Sequence, residues 1–529
     1  MSSTNDLLAA RYYRPGEKSW KDIVNRVAGH LYPHNPEAQA EAFGLMASHK
    51  FVPSSPVLMN AGSRFPMMCS CFVLPVHDSI SALMESLTDT VMIQKYGGGV
   101  GLNFSAIRPE GSIVSTTNGR ASGPVSFAGF WNEAMQVIRQ GGKRQGAMMG
   151  VLNFDHQDLP LFLMAKEVEG KLTNFNLSVG LTQPFFDDLL IGGHTVWPHG
   201  MSTLQVLDAI ASRAWHNGEP GWLYLDNINK RNPYGVPIEA TNPCGEAPLP
   251  PYGACCLGSM NLARYVLQRP YDTGSWEFVE DEFRRDVATA VLMLNKVLDT
   301  TWWPVRKIRE FEEEHRPIGL GLMGLADGLA RLGLPYASAQ GREFATKVMG
   351  IMREEAEYTN WKHRLGNKTL LSVAPTGSIA MLSGCSYSIE PFFNFSAIKK
   401  VEAGEFATEV QALEDVADAF RYQYTWTDKV TIAETGSVQD TRVPKDMKEV
   451  LRTATEMKWE DHLLMQAAVQ KHVDSAVSKT VNMPNSVSVE DVKHALLLGH
   501  DIGLKGMTVY RSASRVDEVI ACPTGTCPL

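Results

Sequence analysis

Residues 241–258 read "TNPCGEAPLPPYGACCLG". They place Cys244, Cys255 and Cys256 within thirteen residues and set Asn242 and Glu246 symmetrically around the first cysteine. If the segment is extended, Asn242 and Glu246 point to one side. An amide and a carboxylate so placed could hold a polar substrate over the sulfur, with Glu246 as a general base. An acyl-transfer cysteine normally works with a nearby histidine, and none is close in sequence. Thiol chemistry coupled to a separate reducing dithiol reads these residues better.

Further cysteines supply such a dithiol. The chain holds eight: Cys69, Cys71, Cys244, Cys255, Cys256, Cys385, Cys522 and Cys527. None forms a CxxC pair, which argues against a structural zinc site, so no metal ligands are assigned. Eight in 529 residues are too few for a secreted disulfide scaffold, and clustering without zinc spacing points to catalysis or redox exchange in a reducing compartment. Cys69 and Cys385 also have a plainer reading as buried apolar residues. The closing "ACPTGTCPL" carries Cys522 and Cys527 around Pro and Gly. A mobile dithiol there can reach a disulfide elsewhere and exchange with it.

The bulk of the sequence sets the frame. A chain of 529 residues with 44% hydrophobic content is long enough for a large core. Its net charge of −9 argues against broad binding to nucleic acid, which needs a basic surface. Apolar runs such as "AVLMLN" (290–295) are too short to cross a bilayer. The N-terminus lacks a signal pattern. A soluble cytoplasmic enzyme is expected, encoded by a cell or by a virus.

Residues 1–50 read as a helical region, with Ile23, Val24, Val27 and Leu31 at helical spacing in "WKDIVNRVAGHLY". Residues 51–511 alternate strand and helix patterns, which favours an α/β architecture and a barrel. "FRRDVATAVLMLNKVLDTTW" (283–302) and "WEDHLLMQAAVQKHVDSAVSKTV" (459–481) read as helices, "KTLLSVAP" (368–375) and "GMTVYR" (506–511) as strands. After Arg511 the pattern fails, and residues 512–529 read as a mobile tail.

Three loops carry possible ligand chemistry. "KYGGGVGLN" (95–103) fits neither GxGxxG nor a P-loop. Its glycines serve close backbone approach or a plain turn. "RQGGKRQGAMMG" (139–150) puts Arg139, Lys143 and Arg144 among glycines, suited to phosphate or base contacts or simply to solvent. "SVAPTGSIAML" (372–382) leads from a strand to a helix start, where Thr376 and Ser378 offer hydroxyls beside free amides. That is an anion site or an ordinary N-cap.

These stretches together resemble a family. "NPCGE" (242–246) followed by "GACCLGSMNLA" (253–263) is similar to the active-site finger loop of ribonucleotide reductase catalytic chains. In family order stand "FVPSSPVLMNAG" (51–62), "CSCFVLPVHDSI" (69–80), "GGGVGLNFSAIRPEGS" (98–112), "GGKRQGAMMGVLNFDH" (141–156), "NFNLSV" (174–179), "RPIGLGLMGLAD" (316–327), "APTGSIA" (374–380) and "LKGMTVYR" (504–511). The resemblance spans nearly the whole chain.

It implies a ten-stranded α/β barrel with the finger loop threaded through it. Cys244 would form the thiyl radical that takes the ribose 3′ hydrogen. Glu246 would accept the 3′ hydroxyl proton, and Asn242 would hydrogen-bond the substrate. Cys71 and Cys255 would supply the electrons and end as a disulfide, which Cys522 and Cys527 would reduce. Thioredoxin or glutaredoxin would then reduce the tail. Pro375, Thr376, Gly377, Ser378 and Ile379 would bind the ribonucleotide phosphates, and Val57, Ser70 and Gly99 would also line the substrate. The family usually has Thr at Val57, and Asn at Cys256, to which no catalytic role is given. Asp78, Ser79, Ile80 and Arg108 match an effector site for ATP or deoxynucleotides at a homodimer interface. Lys143, Arg144 and Gln145 match the loop that relays effector identity. The chain begins close to the barrel, so neither an ATP-cone nor dATP inhibition of overall activity is expected.

Members differ in radical source. Class I chains take the radical from a metal-containing small subunit through two adjacent tyrosines. Here Tyr510 follows Val509, and "GCSYSIEP" (384–391) is nearer the class II "GCSSGIEP", with Tyr387 and Ser388 in place of Ser-Gly. Both features imply adenosylcobalamin, the alternative being a class I-like chain with a radical-generating partner subunit. A glycyl-radical enzyme would need a C-terminal glycyl motif, which "LKGMTVYRSASR" does not supply. A non-catalytic nucleotide-binding regulator would have no use for the full set of cysteines.

Overall fold

The computed structural model describes residues 4–138, 146–168, 170–269, 272–401, 404–409, 412–512, 514 and 520–521. Three helices open it, α1 (Thr4–Arg11), α2 (Trp20–Leu31) and α3 (Pro36–Ala47). Ser19 caps α2 by accepting the Asp22 amide, and Asn35 caps α3 ahead of Pro36. The expected stripe of Ile23, Val24, Val27 and Leu31 is completely buried. Each such side chain stabilises by roughly 1.5–3 kcal/mol as an upper bound.

Next come strand β1 (Phe51–Pro53) and helix α4 (Ser55–Asn60). The first half-barrel is five parallel strands: β2 (Cys71–Leu74), β3 (Gly99–Asn103), β4 (Met148–Asn153), β5 (Phe175–Leu181) and β6 (Gly221–Tyr224). Helix α5 (Ile80–Lys95) connects β2 to β3. A small antiparallel hairpin, β7 (Ala240–Thr241) and β8 (Pro248–Leu249), follows the first half. The second half contains β9 (Ala254–Asn261), β10 (Ile318–Met323), β11 (Thr480–Met483) and β12 (Gly506–Arg511). Strand β9 runs parallel to β10, and β11 parallel to β12. The halves meet antiparallel at β9–β2 and β12–β6.

Residues 371–373 close the ring. Leu371 bridges Leu320 of β10, and Val373 bridges Val477 just before β11, both in parallel. Counting this segment with the nine strands of the two halves gives the expected ten-stranded barrel, while β1 pairs on the outside with β9. The expected strand 368–375 is thus present only as two single bridges. Its ladder is interrupted because the Asp474 carboxylate accepts the Leu370 and Leu371 amides, at 2.9 and 3.0 Å. Gly321 makes the close approach possible, since a Cβ there would stand 2.6 Å from the Ser372 carbonyl oxygen.

Helix α6 (Glu280–Thr300) buries Val287, Val291, Leu294 and Leu298, as its spacing predicts. Glu280, Asp281 and Glu282 complement the positive end of its dipole. Helix α7 (Arg306–His315) precedes β10, and α8 (Gly377–Ser383) follows the closing segment. The predicted helix 459–481 is corrected. Helix α9 (Trp459–Gln470) stops early, and Thr480–Met483 is strand β11. Asp474, paired with Arg353 and bonded to the closing segment, draws the chain out of helical register. Within the expected tail, Ile520–Ala521 pairs with Ser396–Val401, and residues 513, 515–519 and 522–529 lie outside the described residues. Cys522 and Cys527 lie outside the described residues, as do Arg139, Lys143, Arg144 and Gln145.

Candidate active site

The hairpin β7–β8 is the finger, and residues 242–247 form its tip. The tip is a tight turn rather than the extended run expected. The Gly245 amide donates to the Asn242 carbonyl at 3.1 Å, and Gly245 takes φ +83°, a region that glycine enters without steric cost. The turn is fastened at its base. Asn242 Oδ1 accepts the Ala247 amide at 2.9 Å, and the Glu246 carbonyl accepts both Ser372 Oγ and the Ala476 amide. Asn176 Nδ2 holds the Pro243 carbonyl at 2.8 Å.

The glycine-rich strand explains how the finger fits inside the barrel. A Cβ on Gly99 would stand 2.8 Å from the Pro243 ring, and one on Gly101 would collide with the Thr241 carbonyl. Close approach is therefore the use of Gly99 and Gly101, while Gly97 at φ +99° serves the turn that leaves α5. Ala240, Ala247 and Leu249 of the finger pack with Val73, Val151, Cys71 and Cys255 in an apolar cluster within the barrel.

Cys71 and Cys255 are direct partners across the β2–β9 pairing, and both are outside any disulfide, at 3% and 1% exposure. Asn242 Nδ2 donates to Cys71 Sγ at 3.0 Å, and the Cys71 thiol donates to Glu246 Oε1 at 3.7 Å. Despite the turn, both predicted neighbours of Cys244 thus converge on Cys71, one of the two cysteines expected to form the reducing pair. Cys244 itself is exposed and lines a cavity of about 500 Å³ with Pro375, Tyr387, Glu390, Val509 and Tyr510. On its wall the buried Lys479 ammonium contacts Glu390 Oε2 at 2.5 Å.

The substrate-loop residues divide. Ser70 donates to Ser54 Oγ at 2.8 Å, and its carbonyl accepts the Gly99 amide. Val57 is fully buried and its amide bonds Ser54 O, so the backbone donor is already used. Thr376 adopts φ +55°, and its hydroxyl accepts the Ser388 amide at 2.7 Å. Gly377, Ser378 and Ile379 form the first turn of α8. Elsewhere, Asp78 pairs with Arg108 at 2.6 Å, Ser79 caps α5 and Ile80 is exposed, so these four gather at one helix start.

Two features of the site have no forerunner in the sequence reading. Cys69 and Cys256 are joined by a disulfide, so Cys69 is not simply a buried apolar thiol and Cys256 has a structural task. This bond lies in the outer core, while Cys71 and Cys255 face the barrel interior. The second is Glu312 on α7, only 4% exposed. Its Oε1 accepts the Ala254 amide at 3.0 Å, and its Oε2 is buried with no hydrogen-bond partner. Burial holds this carboxyl protonated well above the usual range. Burial also pushes the Cys255 thiol up, with Glu312 and Glu246 adding to it. Glu312 sits in the charged run "EFEEEH", which reads as a solvated face.

Among the described residues, no group of three or more His, Cys, Asp or Glu could hold a metal ion. None of the described helices is long and apolar enough to cross a membrane.

A ten-stranded barrel of two parallel halves, with a cysteine at the tip of an internal finger and two facing cysteines beside it, is the arrangement that the resemblance to ribonucleotide reductase catalytic chains implies. Comparison makes the class particular. Residues 4–66 match the family model "Ribonucleotide reductase, all-alpha domain", and residues 69–198, 198–363 and 357–510 match "Ribonucleotide reductase, barrel domain". The chain belongs to the ribonucleotide reductase family. It is 39% identical over 511 residues to a vitamin B12-dependent ribonucleoside-diphosphate reductase of Thermoplasma acidophilum, covering 91% of this chain and 66% of that one. A protein of the same name from Mycobacterium tuberculosis is 38% identical over 523 residues, covering 92% of this chain and 74% of the relative. The class Id ribonucleotide reductase alpha subunit of Actinobacillus ureae shares the fold with a TM-score of 0.82 at 22% identity, over 96% of both chains.

Proposed function

We propose that the chain converts ribonucleoside diphosphates to 2′-deoxyribonucleotides by thiyl-radical chemistry, with adenosylcobalamin as radical source. One observation carries the reading: Cys244 opens to the cavity, while its neighbours Asn242 and Glu246 both contact Cys71 of the facing Cys71–Cys255 pair.

The residues present fit the cofactor. Tyr387, Pro391, Phe393 and Val509 give the cavity an apolar wall near Cys244, and Val509 denies Tyr510 the neighbouring ring that a two-tyrosine relay uses. The B12-dependent relatives support the same choice. When bound, adenosylcobalamin supplies a carbon-centred radical from its cobalt–carbon bond.

The protein's residues then divide the work. Cys244 loses its hydrogen atom, and its thiyl takes the 3′ hydrogen of the ribose. Glu246 accepts the 3′ hydroxyl proton, and Asn242 orients both substrate and Cys71. Cys71 and Cys255 each give up one hydrogen, two electrons and two protons in all. The 2′ hydroxyl leaves as water and the pair closes to a disulfide. Cys522 and Cys527 return it to the dithiol by exchange, drawing on thioredoxin or glutaredoxin. Residues 375–379 hold the substrate phosphates. Asp78, Ser79, Ile80 and Arg108, with Lys143, Arg144 and Gln145, bind and report effector nucleotides in a homodimer.

The test is reduction of CDP by the purified chain with adenosylcobalamin and dithiothreitol. Deoxycytidine diphosphate formed without a second protein is expected. Product only after adding a metal-containing small subunit overturns the cofactor assignment.

A further inference from the structure

The last residue of α1 reaches the substrate loop. Arg11 Nη1 donates to Ser378 Oγ at 2.8 Å. Next to it, Tyr12 is 1% exposed and its hydroxyl shares a hydrogen bond with Ser55 Oγ at 2.8 Å. The end of α1 is thereby fixed to the barrel by a buried ring on one residue and a guanidinium on the other.

The guanidinium is incompletely satisfied where it stands. Arg11 Nε is buried and has no hydrogen-bond partner. No carboxylate among the described residues lies within ion-pair distance of Arg11. The neighbouring Arg26 differs, since its guanidinium pairs with Glu17 at 2.5 Å. A partly buried cation with an idle donor and no counter-ion costs stability. An anion carried by the substrate would remove that cost. A planar fork of N–H groups suits a phosphate better than a neutral hydroxyl.

We infer that Arg11 is a specificity residue for the terminal phosphate of a nucleoside diphosphate, contributed by the N-terminal helix to the loop at 375–379. The inference rests on the reading of that loop as the substrate-phosphate site. It adds a charged ligand to a loop otherwise made of hydroxyls and amides. With it, the all-helical N-terminal region takes part in substrate choice.

The test measures binding of CDP and of CMP to the full chain without cofactor, for the wild type, Arg11→Gln and Arg11→Lys. In Arg11→Gln the Kd for CDP should rise about tenfold, the scale of one hydrogen bond to a charged group. The Kd for CMP should move less than about twofold on the same scale. Arg11→Lys should recover part of the CDP affinity, since it keeps charge but not the fork. An unchanged Kd for CDP in Arg11→Gln overturns the inference. So does an equal loss for CDP and CMP, the mark of a strut that merely holds α1 in place. A wild-type chain that binds neither nucleotide overturns the substrate-loop reading itself, and Arg11 falls with it.

Discussion

Cys71 and Cys255 stand directly opposite each other on β2 and β9, and the amide of Asn242 points its hydrogen at the first of them. The finger therefore does more than carry Cys244. Two side chains of its own turn, Asn242 and Glu246, link the tip that carries Cys244 to the facing Cys71–Cys255 pair.

The radical role of Cys244 predicts a clean separation of binding from chemistry. Cys244→Ser should abolish turnover, because a hydroxyl gives up its hydrogen atom far less readily than a thiol. Cys244 is exposed and outside the packed core, so the CDP Kd should stay within about twofold of wild type. Residual deoxynucleotide formation by this variant sinks the assignment.

Gly101 tests the threading of the finger. A Cβ at this position runs into the Thr241 carbonyl, part of the backbone and unable to swing aside. Gly101→Ala should lower stability by about 3 kcal/mol, the upper end for overpacking, and should cut turnover at least tenfold by displacing Asn242 and Cys244. Thermal unfolding and steady-state rates check the two effects together. A variant with native Tm and rate means that the finger lies elsewhere.

How much of this was legible beforehand follows from the range of each interaction. The amide–thiol–carboxylate cluster around Cys244 is local, so the sequence displays it. The pairing of Cys71 with Cys255 depends on an antiparallel register between distant strands, which spacing alone does not fix; only the resemblance supplied it. The segment 368–375 looked like an ordinary strand because Leu371 and Val373 carry the apolar pattern. Its interruption comes from Asp474, a side chain from another part of the chain. Glu312 was hidden for the opposite reason. It lies among exposed acids, and only the packing of α7 against β9 separates it from Glu310, Glu313 and Glu314.

The Cys69–Cys256 bond faces away from the redox pair, on the other side of β9. It should persist through turnover, because adjacent strand residues project to opposite faces and Cys256 cannot reach Cys71. The double variant Cys69→Ser, Cys256→Asn should remain active within about twofold and lose about 2–4 kcal/mol of stability, the usual scale for one cross-link. Mass spectrometry after alkylation in denaturant checks the bond directly. Disappearance of the wild-type cross-link during substrate reduction would show instead that it belongs to the electron path.

Glu312 gives a pH dependence whose sign is fixed by its burial. Its carboxyl holds a proton in the folded state well above the ordinary value of 4.5. The unfolded chain releases that proton near 4.5. Stability from this group is therefore fully present below about pH 4.5 and is lost as pH rises toward the folded value. Glu312→Gln keeps an acceptor for the Ala254 amide and removes the ionisation. Its Tm relative to wild type should climb steadily between pH 5 and pH 8, by several degrees, since a shift of one unit corresponds to about 1.4 kcal/mol. The Cys255 thiol should respond as well. With Glu312 uncharged at every pH, one cause that raises the thiol is gone, so alkylation of Cys255 in the native enzyme should begin at lower pH in the variant. A Tm difference that stays flat with pH, together with an unchanged alkylation profile, would falsify the picture of a protonated Glu312 behind the redox pair.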